Sequence, residues 1–283
     1  MKTLRLQSPG KINLRLDVLG KRADGYHDLR MLNSAVTVFD DIELNIIERG
    51  IIVECTDDPK VPSGEDNIVY RATKEIMAYS NKNVGVHVKI KKNIPSGAGM
   101  GGGSSNAACV LAGLNQLLKI NLSRDKLIRI GLRFGADIPF FLYGSPAIAT
   151  GIGENLVKVK RLPHMPVVIV SPRLSVATKW VFERCQPNGN HCEDLEIPRE
   201  FATKKAVIKM MNNDLESVTC RQYPIVGELK DWLLKYGAIA AQMTGSGPSV
   251  FGIFADEETA QKAAKKLSSK AEATWRVFVA ETI

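Results

Sequence analysis

The chain has 283 residues, of which 45% are apolar and 24% are charged, and its formal net charge is +8. A chain of this size needs no metal or disulfide to fold, and its composition disfavours intrinsic disorder, collagen and coiled coils. No stretch approaches the roughly 18–20 consecutive apolar residues of a membrane span, and no apolar run follows the charged start as in a secretory signal.

Cysteine content and charge distribution narrow the class of protein. The five cysteines form no Cys-x-x-Cys pair, which disfavours a disulfide framework and a zinc site and predicts a reducing, cytoplasmic environment. The basic excess is spread over both halves of the chain, and aromatic residues make up only 6%. These features disfavour a nucleic-acid partner, whereas a diffuse positive field suits anionic small molecules such as nucleotides.

Hydrophobic periodicity predicts the elements of the first half. Alternating apolar and polar residues indicate strands, and apolar residues at helical spacing indicate helices. We expect strands at 11–19, 31–39, 41–48, 51–55 and 84–90, and helices at 68–79, 104–118 and 126–134. Ser123 is a candidate N-cap for the last of these helices.

The second half is predicted to begin after a glycine-rich turn at 151–153, so a domain boundary falls within 150–163. We expect strands at 155–160, 167–170, 238–243, 250–254 and 275–280, and helices near 204–212, 225–236 and 257–268. Residues 186–203 are polar and predicted to be irregular. Because strands and helices do not alternate regularly, the pattern favours the α+β class.

A glycine-rich loop, Pro95-Ser96-Gly97-Ala98-Gly99-Met100-Gly101-Gly102-Gly103-Ser104-Ser105-Asn106, links a predicted strand to a predicted helix. Five glycines within 97–103 allow positive φ angles and let backbone N–H groups point into one concavity. The helix N-terminus adds unpaired donors and the positive end of the dipole. Two serine hydroxyls follow where a phosphate or its metal would lie. The loop therefore predicts a polyphosphate cradle.

Other interpretations of the loop are a flexible surface loop and a dinucleotide site. Gly97 to Gly102 fits Gly-x-Gly-x-x-Gly, but that site needs a βαβ unit and an acid about 20 residues on. The nearest acid, Asp125, follows a helix and a turn instead. A Walker A loop is excluded, because it ends in Gly-Lys-Ser/Thr and this loop ends in Gly-Ser-Ser.

Three further segments carry candidate functional residues. Lys11 and Asn13 share one face of a predicted strand, where a solvated surface is the alternative. Asp137 precedes Ile-Pro-Phe-Phe, is expected to be partly buried, and therefore needs a partner such as a lysine. An Asp–Lys pair beside a phosphate cradle suits phosphoryl transfer. The segment 243–251 is a second glycine-rich turn, either a simple hairpin or a backbone ledge against a ligand.

Together these segments resemble the GHMP small-molecule kinases, which include galactokinase, homoserine kinase and mevalonate kinase. Matching stretches occur in the family's order at 8–14, 22–27, 64–67, 95–107, 135–141 and 244–247. Asp-Gly-Tyr-His at 24–27 is typical of the branch whose alcohol substrate carries a cytidine diphosphate group. Ala98 and Met100 stand where the family often has Gly and Leu.

The resemblance implies a two-domain α+β fold with the active site in the cleft between the domains. An ATP-binding domain would span 1–155 and a C-terminal domain 156–283. ATP with Mg²⁺ would phosphorylate the cytidine diphosphate substrate on the non-mevalonate route to isoprenoid precursors. The alternatives are another alcohol, such as homoserine or a mevalonate derivative, or a catalytically inactive nucleotide sensor. Neither nucleic acid nor membrane is an implied partner.

The resemblance also implies residue roles, with Asp137 as the catalytic acid–base group and Lys11 as its partner. Residues implied in ATP binding are Asn67, Pro95, Ser96, Gly97, Ala98, Gly99, Met100, Gly101, Gly102, Gly103, Ser104 and Ser105. Residues implied in binding the substrate and its cytosine are Asn13, Tyr26, His27, Thr178 and Phe182. The Mg²⁺ ligands and the oligomeric state are left open.

Overall fold

The computed structural model describes residues 2–55, 57–59, 61–62, 64–186, 196–271 and 274–283. Within these ranges the strands are β1 (Thr3–Lys21), β2 (His27–Ile47), β3 (Ile51–Cys55), β4 (Gly85–Lys91), β5 (Ala147–Gly151), β6 (Asn155–Lys158), β7 (Pro166–Pro172), β8 (Asn212–Asn213), β9 (Ala240–Met243), β10 (Val250–Ile253) and β11 (Trp275–Glu281). The helices are α1 (Ile68–Met77), α2 (Gly102–Leu117), α3 (Arg124–Leu132), α4 (Ile138–Tyr143), α5 (Thr178–Arg184), α6 (Lys204–Met210), α7 (Glu216–Gln222), α8 (Ile225–Lys235) and α9 (Glu257–Lys270).

The predicted α+β mixture is confirmed, and most of the long periodic segments lie close to their expected bounds. One difference is β1, which begins at Thr3, well before the strand predicted at 11–19. Another is β2, which runs unbroken through the predicted gap between 31–39 and 41–48. Asp40 does not end the strand, because its buried carboxylate accepts the backbone N–H groups of Asn93 and Ile94. Of the predicted irregular region 186–203, residues 187–195 lie outside the described residues.

Contacts group the chain into two units. The first comprises Met1–Gly10, Val38–Ser96 and Gly101–Gly144, and the second comprises Lys11–Thr37, Gly97–Met100 and Ser145–Ile283. Strands β1 and β2 therefore contribute residues to both units. The first half of β2 belongs to the second unit because it pairs with β5, from Leu29 opposite Gly151 to Asn33 opposite Ala147. The predicted domain boundary at 155/156 stays a prediction.

In the first unit, helices pack on a sheet whose strands alternate buried and exposed side chains. β2 pairs antiparallel with β4, and β3 pairs parallel with β4. Helix α2 approaches this sheet closely at Gly113, where a Cβ would lie 2.6 Å from Leu6 Cδ1 and 2.7 Å from Leu44 Cδ1. Helix α3 begins at the predicted cap, since Ser123 Oγ accepts the Lys126 N–H at 3.3 Å. The core includes Ile42, Leu44, Ile76, Val88, Leu111 and Leu114.

The second unit has a separate core around an antiparallel sheet in the order β11-β7-β10-β9. Strand β7 is buried along its whole length, which explains its continuous apolar run. Helix α9 packs against β7 and β11 with its buried residues at helical spacing, Ala260, Ala263, Ala264 and Leu267. In the same unit β5 pairs with β6, and β1 pairs parallel with β8.

Candidate active site

The segment Gly97–Met100 of the glycine-rich loop belongs to the second unit and lies against the second glycine-rich turn. Ser249 N donates to Ala98 O at 3.3 Å, and Thr244 Oγ1 donates to Gly99 O at 3.4 Å. A Cβ at Gly99 would lie only 2.2 Å from Thr244 O, and the φ of Gly99 is +75°. Glycine is therefore required here. The turn at 243–251 is the connection of a β9–β10 hairpin, and its backbone also approaches the loop.

Ala98 and Met100, the two departures from the family pattern, are 3% and 1% exposed. Their side chains pack into the protein, so neither substitution alters the surface that the loop presents. Lys11 N donates to Met100 O at 2.9 Å, which fixes the start of the lysine-bearing strand segment beside the loop.

The rest of the loop, from Gly101, belongs to the first unit and leads into α2. Gly101 has a left-handed conformation with φ 68°, and α2 begins at the next residue. A Cβ at Gly102 would lie 2.9 Å from Ile94 Cγ2 and 3.1 Å from Lys92 Nζ. Glycine at 102 therefore lets α2 begin close against Ile94 and Lys92. The N–H groups of a first helical turn have no partner within the helix and can bind an anion.

Ser105 supplies a buried hydroxyl in this first turn. The residue is 1% exposed, and its Oγ has no hydrogen-bond partner among the described residues. Buried polar atoms are nearly always paired. An orphaned hydroxyl at the N-terminus of a helix therefore fits the site of a phosphate oxygen or of a metal ion bound to it.

Asn67, Pro95 and Ser96 lie in the same unit. Asn67 is buried and caps α1, since its Oδ1 accepts the Val69 N–H at 2.7 Å and its Nδ2 donates to Pro62 O at 2.8 Å. Both ends of its amide are thus engaged by the protein. Pro95 and Ser96 are half-buried at the start of the loop. A role for these residues toward ATP stays a prediction.

Lys11 and Asn13 share a face of β1, as predicted, but that face is not solvated. Lys11 is 4% exposed, and its Nζ donates to Asn13 Oδ1 at 2.7 Å. Asn13 Nδ2 donates to Asn33 Oδ1 at 2.7 Å, and Asn13 N donates to Thr244 Oγ1 at 3.1 Å. A buried ammonium group requires such acceptors. The alternative of a solvated strand face is wrong.

Asp137 is half-buried, as its Ile-Pro-Phe-Phe context predicts, and occupies the N-cap position of α4 without a capping side-chain hydrogen bond. Its segment lies beside the first turn of α2, because a Cβ at Gly135 would be 3.5 Å from Ser104 Oγ. Asp137 thus neighbours the part of the loop in the first unit, and Lys11 neighbours the part in the second. Their pairing stays a prediction.

The Asp-Gly-Tyr-His turn is held by its own polar groups. Arg22 contacts the carboxylates of Asp24 and Asp28, each at 3.1 Å. Asp24 Oδ1 accepts the Tyr26 N–H at 3.1 Å, and Arg22 N donates to Tyr26 O at 2.8 Å. The Tyr26 ring itself is 59% exposed. These hydrogen bonds fix the conformation of the turn, and the exposed Tyr26 ring is accessible to a ligand.

The structure brings together three of the residues expected to bind the cytosine-bearing substrate. The His27 and Phe182 rings stack with centroids 5.2 Å apart and an interplanar angle of 27°. Thr178, one turn before Phe182 on α5, has its Oγ1 2.9 Å from Ser246 Oγ in the second glycine-rich turn. Burial, followed by the charge of Lys21, lowers the pKa of His27 below its ordinary value. The imidazole is therefore neutral at pH 7.

Three polar residues that shape this region were missed by sequence reasoning. Asn213 Nδ2 donates to Met243 O at 2.8 Å and to Gly245 O at 2.9 Å. Glu216 Oε2 accepts the Met243 N–H at 2.7 Å, and Thr219 Oγ1 donates to Ser246 O at 3.1 Å. They hold the second glycine-rich turn from a segment about 30 residues away. In the sequence, Asn213 lies in a polar run before α7, and Glu216 and Thr219 lie within that helix.

The four cysteines that the structure describes are free thiols. Burial raises the pKa of Cys109 to about 12 and that of Cys185 to about 11, and Cys55 and Cys220 are also free. Cys192 lies outside the described residues. Among the helices of the described ranges, none combines the length and apolar character that a membrane span requires.

Comparison with known proteins places these features in a family. Family models of the GHMP kinases match residues 67–145 as the N-terminal domain and residues 202–273 as the C-terminal domain. A protein of Geobacter metallireducens named 4-diphosphocytidyl-2-C-methyl-D-erythritol kinase is 44% identical over 273 residues, which cover 96% of each chain. A crystal structure of 4-(cytidine 5'-diphospho)-2C-methyl-D-erythritol kinase superposes with a TM-score of 0.81 at 30% identity, covering 99% of each chain. A homoserine kinase from Cytophaga hutchinsonii, with a TM-score of 0.74 at 18% identity over 100% of this chain and 95% of its own, shares the fold.

Proposed function

The chain belongs to the GHMP kinase family, and we propose that it transfers the γ-phosphoryl group of ATP to the 2-hydroxyl of 4-diphosphocytidyl-2-C-methyl-D-erythritol. This reaction lies on the non-mevalonate route to isopentenyl diphosphate. We place the protein in the cytoplasm, because that compartment keeps cysteine thiols reduced. The observation that carries the proposal is the Asp-Gly-Tyr-His turn, which presents His27 stacked on Phe182. Relatives named 4-diphosphocytidyl-2-C-methyl-D-erythritol kinase match the chain over nearly its whole length, which supports the proposal.

ATP binds through the glycine-rich loop in this proposal. The first turn of α2 offers backbone donors and the positive end of the helix dipole to the β- and γ-phosphates. Ser104 and Ser105 add hydroxyls, and the orphaned Ser105 Oγ supports this role. Mg²⁺ held by these hydroxyls together with the phosphates would neutralise charge on the transferring group.

Asp137 and Lys11 carry the chemistry in this proposal. A tertiary alcohol has a very high pKa, so its proton must leave as the new O–P bond forms. The Asp137 carboxylate accepts that proton while the bond between the γ-phosphorus and the ADP oxygen breaks. Lys11 stabilises negative charge on the transferring phosphoryl group. The burial of Lys11 supports this, since a desolvated ammonium acts more strongly on nearby charge.

Cytosine is recognised by stacking and by polar contacts. Tyr26 and Phe182 provide aromatic faces, and the neutral His27 ring provides one donor and one acceptor nitrogen. Thr178 contributes a hydroxyl from the same helix as Phe182. Homoserine and mevalonate offer no base, so these groups would have nothing to bind in either alcohol.

A substrate panel tests the proposal. The chain is assayed for ADP release with ATP and, in turn, the cytidine diphosphate substrate, homoserine and mevalonate. We expect a kcat/KM at least about 10³-fold higher for the cytidine diphosphate substrate, since a site built for polar groups rejects compounds lacking them by large factors. Comparable turnover of homoserine or mevalonate, or ADP release that no alcohol stimulates, would contradict the assignment.

A further inference from the structure

A buried polar network lies beneath the glycine-rich loop in the first unit and is centred on Asp40. The residue is 0% exposed. Its Oδ1 accepts the N–H groups of Asn93 at 2.7 Å and Ile94 at 2.8 Å. Its Oδ2 accepts Asn106 Nδ2 at 2.8 Å and the Lys92 ammonium. Both carboxylate oxygens are therefore engaged by two donors each.

Lys92 and Asn106 close the network. The Lys92 side chain is 5% exposed, and its Nζ also donates to Asn106 Oδ1 at 3.2 Å. Asn106 Nδ2 donates in addition to Ser8 Oγ at 2.6 Å. A buried ion pair contributes little net stability, but removing one partner leaves the other charge uncompensated. The stability of the fold is thus a weak reason for such a pair.

The position of the network supplies a better reason. Asn93 and Ile94 precede the glycine-rich loop, and Asn106 lies in the first turns of the helix that follows it. One carboxylate therefore joins both ends of the loop. Lys92 Nζ also lies 3.1 Å from where a Cβ at Gly102 would be, directly beneath the loop's final glycines.

We propose that Asp40, Lys92 and Asn106 are positioning residues that hold the ends of the glycine-rich loop at the separation that binds ATP. The inference rests on the proposed function, in which this loop binds the triphosphate. A loop rich in glycine loses much backbone entropy on ordering. Fixing its ends before ATP arrives removes part of that cost from binding. The network therefore acts on ATP affinity and leaves the affinity for the alcohol unchanged.

Asp40→Asn tests the link between the loop ends. The amide oxygen can still accept from Asn93 and Ile94, but an NH₂ group now faces the donors of Asn106 and Lys92. We expect ATP affinity to fall by about 10- to 100-fold, the effect of losing a hydrogen bond to a charged group. The double variant Asp40→Asn/Asn106→Asp returns a carboxylate to the network beside Lys92. It should bind ATP more tightly than Asp40→Asn alone, a non-additive rescue that generalised damage would not produce.

Glu43→Gln is the matched control. It is the same acid-to-amide change three residues away on β2, at a carboxylate that contacts the exposed Arg5 at 2.9 Å. ATP binding is measured by calorimetric titration on the full chain, with thermal unfolding and the KM of the alcohol measured alongside. Glu43→Gln should bind ATP as the unmodified chain does. A folded Asp40→Asn that also does so would overturn the inference.

Two further outcomes remain informative. If the unmodified chain binds no ATP, the proposed function fails rather than the positioning role. If Asp40→Asn does not fold, Ser8→Ala removes one acceptor of Asn106 and keeps the ion pair. A several-fold loss of ATP affinity in folded Ser8→Ala, with the KM of the alcohol unchanged, supports the network, and unchanged ATP affinity overturns it.

Discussion

Lys11 and Asp137 differ in how the protein surrounds them. Lys11 is 4% exposed, and its Nζ donates to the Asn13 amide oxygen at 2.7 Å. Asn13 is oriented in turn by Asn33, which accepts from Nδ2 at 2.7 Å. The lysine is therefore pre-oriented by a buried amide chain. Asp137 is half-buried at the N-cap position of α4, where its side chain makes no capping hydrogen bond.

Asp137→Asn keeps the shape of the side chain and removes the proton acceptor. We expect kcat to fall by about 10²–10⁴-fold, the usual effect of general base catalysis, with substrate affinity largely retained. Lys11→Met should lower kcat too, and the double variant should be little worse than the poorer single variant. Steady-state kinetics measure all three. Asp125→Asn, at an exposed acid in the first turn of α3, is the control and should keep normal turnover. Normal turnover of Asp137→Asn would remove this residue from the mechanism.

Phe182→Ala tests recognition of the base. Aromatic stacking is worth about 1–3 kcal/mol per base, so the cytidine diphosphate substrate should bind about 5- to 150-fold more weakly. ATP affinity should barely change. Trp180→Ala is the control on the same helix, since Trp180 packs against the Arg184 guanidinium at 4.6 Å rather than against His27. Equal weakening of both ligands by Phe182→Ala would place this ring outside the substrate site.

The lowered pKa of His27 makes a prediction about stability. Burial and Lys21 disfavour the imidazolium in the folded state. Below the ordinary histidine pKa of about 6.5 the unfolded chain therefore takes up a proton that the folded chain does not. This lowers the free energy of unfolding as the pH falls through the folded pKa. His27→Gln should lose less stability between pH 7 and pH 5 than the unmodified chain in denaturant titrations. Identical losses would contradict the shift.

At the scale of elements, the two glycine-rich turns approach each other so closely that only glycine fits. Gly99→Ala would place a Cβ 2.2 Å from Thr244 O at a φ of +75°. We expect the loop to move and ATP affinity to fall at least about 10-fold, since overpacking against backbone cannot relax cheaply. Gly227→Ala is the control, because a Cβ there would meet nothing within 4 Å and the residue lies in α8, outside the residues assigned to ATP. It should leave ATP affinity unchanged, as titration calorimetry would show. Equal affinities for both variants would contradict the close approach.

Periodicity in the sequence predicted the long elements, because a strand or helix with one buried face repeats at 2 or 3.6 residues. The short helices α4 and α7 and the two-residue β8 carry too few residues to show a period. The sequence predicts a gap between 31–39 and 41–48, since nothing local reveals that Asp40 has a buried partner 52 residues away. The glycine-rich loop was predicted because backbone donors and glycine conformations are local properties.

The contacts around the candidate site were less predictable. Lys11 was expected on a polar face, but it is buried and donates to Asn13, whose backbone N–H in turn donates to Thr244, 231 residues later in the chain. The support of the second turn by Asn213 likewise follows from the fold alone. Assignment of the substrate residues depended on family resemblance, because no spacing rule connects positions 27 and 182.

At the scale of the whole molecule, each unit has its own hydrophobic core. The residues assigned to the reaction are divided between the units, with Ser105 and Asp137 in the first and Lys11, His27 and Phe182 in the second. The proposed mechanism therefore requires the complete chain, because neither unit alone contains all the residues assigned to the reaction.

The position of the transferred phosphoryl group tests the central claim most directly. The chain is incubated with ATP, Mg²⁺ and 4-diphosphocytidyl-2-C-methyl-D-erythritol, and the products are followed by ³¹P and ¹³C NMR. We expect one phosphomonoester for each ADP formed, with its phosphorus coupled to the tertiary carbon C2 and the diphosphate bridge intact. ADP without a new phosphomonoester, or an ester on another hydroxyl, would contradict the account.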